Sequence, residues 1–309
     1  DISPEARAAV LERFREVRSG GQFVPPSTEG TVIYPGFDGA AEWGGSAFDP
    51  ETRLLYVNSN EMAWILQMLE LPPAGEGGSL GARVYAQHCT VCHGLERQGD
   101  PQGQFPRIDD LKGRLAREDA VDILRQGKGV MPAFAFLDEE ESQAVVAHIY
   151  SDPPPTTGTG ASTAAGASPY SHMGYNRFLD PDGYPAVKPP WGTLNAIDLD
   201  EGEIRWTVPL GELPELTAWG IPPTGTENYG GPIATAGGLL FIGATKDEMF
   251  RAFDKRTGKV LWETKLPAGG YATPATYEAG GRQYVVIAAG GGKMGTESGD
   301  TYLAFALPE

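Results

Sequence analysis

A chain of 309 residues, 40% of them hydrophobic, can form two domains of ordinary size, and its 42 glycines and 26 prolines favour short strands and turns. The formal net charge of −17 argues against a basic face that binds nucleic acid, and no cluster of basic residues occurs. No apolar run approaches the length of a membrane span, and no signal-peptide pattern is present.

The first predicted elements are a helix and a strand pair. Acidic and basic residues alternate with apolar ones over residues 4–17, which favours a charged surface helix. Residues 47–57 form a degenerate copy of a strand–turn–strand repeat that recurs nearer the C terminus. The pair Glu42-Trp43 immediately precedes this copy.

A Cys-x-x-Cys-His motif occupies residues 89–93, and its two cysteines are the only ones in the chain. On a helix this spacing lets two thiols add to the vinyl groups of one haem while the histidine points at the iron. A zinc site would need two more soft ligands, and a thioredoxin-like pair would leave the adjacent histidine unexplained. We therefore predict haem c bound covalently to Cys89 and Cys92, with His93 as an axial ligand.

The second axial ligand is predicted to be Met131. It lies in a loop rich in glycine and proline over residues 127–134, not in the apolar stripe of a helix. Its thioether can therefore reach the open side of the iron. Ligation by histidine and methionine raises the reduction potential, which suits an acceptor of electrons from an organic donor. A site with two histidines, or with an open position, is the alternative.

The sequence around the motif predicts three helices. They cover residues 81–88, residues 118–126, and a closing segment that starts at a capping box formed by Asp138 and Glu141. Residues 78–152 resemble a small class I cytochrome c. In that family a proline carbonyl after the motif orients the proximal histidine, and Pro106 is the candidate here.

We assign residues 75–152 to this all-α cytochrome domain and residues 153–170, rich in Pro, Gly, Ala, Ser and Thr, to a flexible linker. Haem attachment through thioethers occurs outside the cytoplasm in bacteria, so a periplasmic location is expected. Both cysteines are used by the haem, and no disulfide is predicted.

Two longer copies of the repeat follow the linker. Residues 194–206 and 250–262 carry Ala, Asp, Gly and Trp at the same offsets, 56 residues apart. A strand–turn–strand repeat of this kind is typical of propeller blades. The aspartate and glycine suit a tight turn, and we expect Trp206 and Trp262 to pack against neighbouring blades.

These repeats, with the segments at residues 229–245, 269–278, 282–292 and 302–308, resemble the C-terminal part of the pyrroloquinoline-quinone (PQQ) dehydrogenases, and most closely the membrane glucose dehydrogenase branch. The resemblance covers residues 30–70 and 175–309. It implies a mainly β fold, an eight-bladed propeller with PQQ and a divalent metal, usually calcium, on its axis. The cytochrome domain is predicted to be spliced between blades, which separates residues 1–74 from residues 171–309.

Four residues match cofactor-pocket positions of that family. Glu42 and Trp43 stand where relatives place an asparagine-type contact next to a tryptophan, and Tyr229 stands where alcohol-oxidising relatives carry a tryptophan. Lys293 follows a glycine run and can pair with a PQQ carboxylate. About four blades are accounted for, so we expect this chain to be the C-terminal part of a longer enzyme, completed by upstream blades or a complementary subunit. The resemblance places the catalytic base and the metal ligands upstream.

Two functions follow from these expectations. The first is a periplasmic dehydrogenase that oxidises a sugar or alcohol through PQQ and passes the electrons to haem c and then to a soluble or membrane-bound acceptor. The alternative is an electron-transfer cytochrome on a non-catalytic propeller scaffold. A cytochrome cd1-like nitrite reductase is disfavoured because its cytochrome is N-terminal.

Overall fold

The computed structural model describes residues 2–70, 78–99, 105–129, 131–151 and 169–307. The predicted linker over residues 153–170 lies almost wholly outside these ranges. The chain folds into two compact units. The strand unit comprises Asp1–Arg13, Ile33–Trp64 and Arg177–Glu309, and the helical unit comprises Phe14–Val32 and Ile65–Asn176.

The helices of the described residues lie mainly in the helical unit. In chain order they are α1 Pro4–Glu16, α2 Leu80–His88, α3 Thr90–His93, a 3₁₀ helix Leu111–Gly113, α4 Arg117–Gln126, α5 Glu139–Ile149 and α6 Pro214–Ala218. The predicted helices at residues 4–17, 81–88 and 118–126 are thus confirmed to within a residue at each end.

The strands lie mainly in the strand unit. They are β1 Thr31–Ile33, β2 Ala47–Asp49, β3 Leu54–Asn60, β4 Trp64–Leu66, β5 Met68–Glu70, β6 Tyr170–His172, β7 Asn176–Arg177, β8 Gly192–Asp198, β9 Glu203–Pro209, β10 Ile233–Ala234, β11 Leu239–Ile242, β12 Met249–Asp254, β13 Val260–Lys265, β14 Ala275–Ala279, β15 Arg282–Gly291 and β16 Ser298–Phe305. Three antiparallel sheets in the strand unit have the orders β2-β3-β8-β9, β10-β11-β12-β13 and β14-β15-β16.

The two longer repeats have the same register. Ala196 in β8 pairs with Trp206 in β9, and Ala252 in β12 pairs with Trp262 in β13. Each sheet has a bulge directly after that alanine. The sequence repeat is therefore a repeat of structure, down to the position at which the ladder is interrupted.

An aspartate builds the turn in each copy. Asp198 accepts hydrogen bonds from two backbone amides of its turn, and Asp254 does the same. Both turns end at a glycine with a left-handed backbone, Gly202 at φ 72° and Gly258 at φ 71°. The degenerate copy has Arg53 at this position with φ 55°. The degenerate copy keeps the turn, although arginine adopts a left-handed backbone less readily than glycine.

The tryptophans pack as the repeats predicted. A Cβ placed on Gly258 would lie 2.8 Å from the ring of Trp206, so the indole of the first sheet rests on the turn of the second. The ring of Trp262 lies 5.3 Å from that of Phe305, which belongs to the third sheet. Buried hydrophobic residues of β3, β8, β11 and β12 form one cluster between the first two sheets.

One expectation about the connection between the halves is wrong. The cytochrome region was predicted to enter between blades, but β3 and β8 are neighbours in a single sheet. Asn60 at the end of β3 pairs with Gly192 at the start of β8. Residues 61–191 therefore leave and re-enter between two paired strands of one sheet. The sequence repeat did not reveal this because the degenerate copy shows only the first half of that sheet.

The core of the helical unit lies among α2, α4 and α5. Val84 and Tyr85 of α2 and Val145 and Val146 of α5 are buried in it. Gly81 lets α2 approach α5 closely, because a Cβ there would lie 2.0 Å from the carbonyl oxygen of Ala144.

The start of α5 was predicted from a capping box, which the structure confirms. The Asp138 carboxylate accepts a hydrogen bond from the backbone amide of Glu141 at 2.8 Å. The Glu141 carboxylate accepts one from the backbone amide of Asp138 at 3.1 Å. Two amides at the start of the helix are thereby satisfied.

Candidate haem site and quinone pocket

The Cys-x-x-Cys-His segment forms the junction of α2 and α3. Thr90, between the cysteines, is buried and donates its hydroxyl to the carbonyl of Ala86 at 2.6 Å. The tight turn that follows is closed by Gly94, which has φ 75°. The Tyr85 hydroxyl donates to the Gly94 carbonyl at 2.8 Å. These contacts fix the backbone that carries Cys89, Cys92 and His93.

The orientation of His93 is set by a backbone carbonyl. Its Nδ1 lies 2.9 Å from the carbonyl oxygen of Pro106. Because a carbonyl can only accept, Nδ1 carries the hydrogen, and Nε2 keeps the lone pair that a metal needs. Metal-binding histidines are commonly oriented by such a hydrogen bond from the ring nitrogen that does not bind the metal. Pro106 is the residue that the cytochrome resemblance indicated.

The cysteine environment argues against a redox-active thiol pair. Burial, with a smaller contribution from Cys92, raises the pKa of Cys89 to about 12. Catalytic thiol pairs instead depend on a lowered pKa. In the described parts of the chain, no group of three or more His, Cys, Asp or Glu residues is placed to hold a metal ion. The zinc interpretation therefore gains no support from the geometry.

The loop that carries Met131 is held against the core of the helical unit. Lys128 and Met131 exchange two backbone hydrogen bonds of 3.0 Å. Gly127 ends α4 with φ 76°, and a Cβ there would lie 2.7 Å from the Met131 carbonyl oxygen. The Met131 side chain packs on the buried cluster that also contains Cys89. These residues fit a haem with one histidine and one methionine ligand, and that ligand set stays a prediction.

Two of the other histidines, His88 and His148, pack against aromatic rings. The ring of His88 lies 5.2 Å from that of Phe136, and the ring of His148 lies 5.5 Å from that of Tyr85. Burial lowers the pKa of both histidines, so both are favoured as neutral rings.

In the strand unit, Glu42 joins two loops that are distant in sequence. Its Oε2 accepts hydrogen bonds from the backbone amides of Gly44 at 2.7 Å and Gly230 at 2.9 Å. A Cβ on Gly44 would lie 2.2 Å from the Gly230 backbone, so only glycine allows this approach. Glu42 is buried, and its Oε1 has no hydrogen-bond partner among the described residues. Trp43 is 88% exposed.

Tyr229, next to Gly230, is surrounded by charged groups. Its hydroxyl donates to Asp38 Oδ1 and lies 3.3 Å from Glu227 Oε1. The Lys293 Nζ lies 3.5 Å from the centre of its ring, a cation–π contact. The structure thus brings Glu42, Tyr229 and Lys293 into one neighbourhood. Their contact with a quinone stays a prediction.

Arg177 supplies a buried positive charge beside Tyr229. It pairs with Glu227 at 2.5 Å, and both side chains are almost completely buried. Its guanidinium stacks on the ring of Trp64 at 4.6 Å. The Arg177 Nε has no hydrogen-bond partner among the described residues. Burial opposes the charged guanidinium, but Glu227 and Asp38 outweigh it and raise the pKa of Arg177.

Three buried asparagines hold the loop that carries Tyr229. Asn58 in β3 donates to Asn228 Oδ1 at 2.7 Å and to the Gly230 carbonyl at 2.8 Å. Asn60 donates to the Asn228 carbonyl at 3.0 Å and accepts from the Asn228 amide at 2.8 Å. Buried amide networks of this kind fix backbone positions closely, although the Oδ1 of Asn58 has no hydrogen-bond partner among the described residues.

Sequence reasoning missed Asp38, Arg177 and Glu227. Arg177 and Glu227 lie 139 and 189 residues after Asp38 in the chain, and none of the three belongs to a repeat. A usable signal existed at residues 224–230, where polar residues and glycine interrupt the strand pattern between two repeats. Such segments carry function more often than the strands that they connect.

Family comparisons agree with this architecture. A family model described as "Glucose/ethanol/alcohol dehydrogenase, beta-propeller domain", for PQQ proteins, matches residues 1–99 and 131–285. A second, described as "Cytochrome C oxidase, cbb3-type, subunit III", matches residues 78–149. The chain belongs to the PQQ-dependent dehydrogenase β-propeller family and also carries a cytochrome c segment.

Individual relatives align with nearly the whole chain. The quinoprotein glucose dehydrogenase of Escherichia coli (strain K12) is 31% identical over 302 residues, which are 96% of this chain and 29% of the relative. The glycerol dehydrogenase large subunit of Gluconobacter thailandicus is 32% identical over 316 residues, 100% of this chain and 34% of the relative. The chain thus spans about a third of the length of these relatives.

Among solved structures, the quinohemoprotein alcohol dehydrogenase from Comamonas testosteroni is similar, with a TM-score of 0.40 and 19% identity. The match covers 84% of this chain and 24% of that one. Among the described residues, each helix is too short or too polar to cross a membrane.

Proposed function

We propose that this chain is part of a quinohaemoprotein dehydrogenase that oxidises the CH–OH group of a sugar or alcohol. Its electrons pass to haem c and then to an external acceptor. The observation that carries the proposal is the bond between His93 Nδ1 and Pro106 in a Cys-x-x-Cys-His segment of a PQQ-family chain. A histidine held in this way is prepared for iron, and a haem gives the quinone a one-electron acceptor within the same chain.

The wider architecture belongs to the same proposal. The three sheets of the strand unit are taken as blades of an eight-bladed propeller, and α2 to α5 as an inserted cytochrome domain. Because the chain spans about a third of its relatives, the catalytic base and the ligands of a divalent cation, calcium by resemblance, are assigned to upstream blades or a complementary subunit. Covalent haem implies an extracytoplasmic location.

The residues of this chain have definite tasks in the proposal. Bound PQQ supplies a two-electron oxidant. The ammonium of Lys293 is exposed and has no carboxylate partner in the described chain, so it can pair with a carboxylate of the cofactor. Glu42 holds the Gly230 backbone, while its second oxygen can accept from a ligand N–H or O–H. His93 and Met131 hold the iron.

The test has two stages. Mass spectrometry of the protein, produced with haem c maturation, should show one haem adduct that is lost in Cys89→Ser/Cys92→Ser. PQQ, calcium and a panel of aldoses and alcohols are then added, and haem reduction is followed in the chain alone and in the chain joined to upstream blades.

The expected result is substrate-dependent haem reduction that requires PQQ and the upstream blades. The absence of a haem adduct would contradict the haem assignment. A haem that no substrate reduces in the completed protein would favour an electron-transfer cytochrome on a non-catalytic scaffold. Rapid reduction by the isolated chain would place the catalytic base within its 309 residues.

A further inference from the structure

The hydroxyl of Tyr229 lies between two carboxylates. It contacts Oδ1 of Asp38 on one side and Oε1 of Glu227 at 3.3 Å on the other. A phenol has one hydrogen to donate, and an ionised carboxylate can only accept. If both acids were ionised, one of these contacts would place two lone pairs against each other. The geometry is satisfied when one acid holds a proton that it donates to the phenol oxygen.

Asp38 is the acid that fits this role. Glu227 already has a buried cation as its partner, because Arg177 donates to it at 2.5 Å. Among the described residues Asp38 has no ion pair, and its Oδ2 is buried without a hydrogen-bond partner. Burying an unpaired carboxylate oxygen costs less when the group is neutral.

The other charged groups near this site act on it from different sides. Lys293 lies over the Tyr229 ring, while the charge of Arg177 lowers the pKa of Asp38 and that of Glu227 raises it. Glu42 holds the backbone next to Tyr229 and adds a negative charge. The side chain of Asp38 is only partly buried, so a proton held there can exchange with water.

We propose that Asp38, with Tyr229 and Glu227, forms a proton-holding site that accepts one of the two protons released when the CH–OH group is oxidised. The inference rests on the proposed function. In that reaction a secondary or primary alcohol becomes a carbonyl compound, and two electrons and two protons leave. One-electron acceptors, the haem and then an external carrier, take the electrons one at a time, and of the two protons left behind one passes to Asp38 and the other to water.

The step at Asp38 is a simple proton transfer. Its carboxylate gains a proton, an O–H bond forms, and the acid donates to the Tyr229 oxygen while Tyr229 donates to Glu227. The proton is later lost to water, which restores the carboxylate. Burial and the nearby Glu227 raise the pKa of Asp38 to about 6, so both forms are accessible near neutral pH.

The test combines a spectroscopic and a kinetic measurement on the complete holoenzyme. Infrared titration without substrate follows the carbonyl stretch of a protonated carboxylic acid. The rate of substrate-driven haem reduction is then measured from pH 5 to 8, a range of about three units that includes the pKa of Asp38. The variants are Asp38→Asn, Asp38→Glu and Tyr229→Phe, and the matched control is Asp182→Asn, which removes an exposed carboxylate from the turn that follows Asp180.

In the wild type and in Asp182→Asn, the acid band should disappear as the pH rises through about 6, and the rate should rise over the same interval. In Asp38→Asn the band and the pH step should both be lost, with a rate about 100-fold lower above that pH. Asp38→Glu should restore a pH step, and Tyr229→Phe should move it.

Three results would overturn the inference. One is an unchanged acid band in Asp38→Asn, and the second is a kinetic pH step that survives that substitution. If Asp38→Asn does not fold, the third result is a pH profile of folded Tyr229→Phe that equals the wild-type profile. A holoenzyme that shows the acid band but no substrate-driven haem reduction would instead contradict the proposed function. It would then also contradict the role of Asp38 as acceptor of a proton from the substrate.

Discussion

The Nδ1 atom of His93 lies 2.9 Å from the carbonyl oxygen of Pro106, 13 residues further along the chain. The bond fixes the tautomer of the imidazole, so that Nε2 keeps the lone pair that a metal needs. It also ties the Cys-x-x-Cys-His segment to the loop that follows. The orientation of His93 is therefore set by the polypeptide itself.

The distal side gives the first prediction. Met131→Ala should keep the covalent haem, because both cysteines remain, but should lose the absorption band of sulfur-ligated ferric haem. Its reduction potential should fall, since a thioether ligand raises the potential of the haem. Absorption spectra and a redox titration measure both effects.

The matched control is Met249→Ala, which removes a methionine of the strand unit and should change neither property. A sulfur-ligation band that persists in Met131→Ala would assign the sixth position to another residue.

A second prediction concerns Gly81, where local preference and packing have opposite signs. In an isolated helix, Gly→Ala stabilises by about 1 kcal/mol. In α2 the added Cβ would lie 2.0 Å from the Ala144 carbonyl oxygen, so α2 and α5 would have to separate. We expect Gly81→Ala to destabilise the helical unit by about 3 kcal/mol.

Denaturant unfolding followed by haem absorption measures this change. Gly113→Ala is the control, because a Cβ there meets nothing within 4 Å. It should change the stability of the unit by less than about 0.5 kcal/mol. Equal effects of the two substitutions would show that α2 and α5 do not approach as closely as the structure has them.

Local signals predicted most of the helical unit. The motif at residues 89–93, the glycine after α4 and the capping box at Asp138 are each encoded within a few residues. Their physical effects act over the same short distance, so a sequence pattern is sufficient to place them. Pro106 required the family resemblance, because a backbone carbonyl leaves no side-chain signal.

The strand unit was predictable only where it repeats. The equivalent strand pairing at Trp206 and Trp262 could be predicted by aligning the two copies of the repeat. The pairing of β3 with β8 could not, because residues 61–191, which are 131 residues, separate the two strands. The cluster at Asp38 depends on the same distant contacts. Hydrogen bonds of this kind are decided by topology, which composition and spacing do not specify.

A third prediction uses two equivalent turn positions. Gly202 and Gly258 have φ values of 72° and 71°, so alanine should cost about 1 to 2 kcal/mol of backbone strain at either position. At Gly202 the new Cβ would meet nothing within 4 Å, but at Gly258 it would lie 2.8 Å from the Trp206 ring.

The free energy of unfolding of Gly258→Ala should therefore be lower than that of Gly202→Ala by about 1 to 3 kcal/mol. Thermal unfolding of the two variants gives the difference directly. If the two variants lose the same stability, Trp206 does not rest on the neighbouring turn. The double variant Trp206→Ala/Gly258→Ala should remove the additional penalty of the glycine substitution.

The last prediction concerns folding stability and pH. The pKa of Asp38 is raised from its ordinary 3.8 to about 6, chiefly by burial and then by Glu227. Between these two values the native state binds more protons than the unfolded state, so the free energy of unfolding falls as the pH rises and levels off above the native pKa. The loss of unfolding free energy is on the order of 1 to 3 kcal/mol, because water partly screens the group.

Urea unfolding at pH values from 4 to 7, a span of about three units, should show this slope in the wild type and in Asp182→Asn but not in Asp38→Asn. Parallel curves for the wild type and Asp38→Asn would mean that Asp38 is ionised throughout, and the Tyr229 hydroxyl would then have to serve one carboxylate alone.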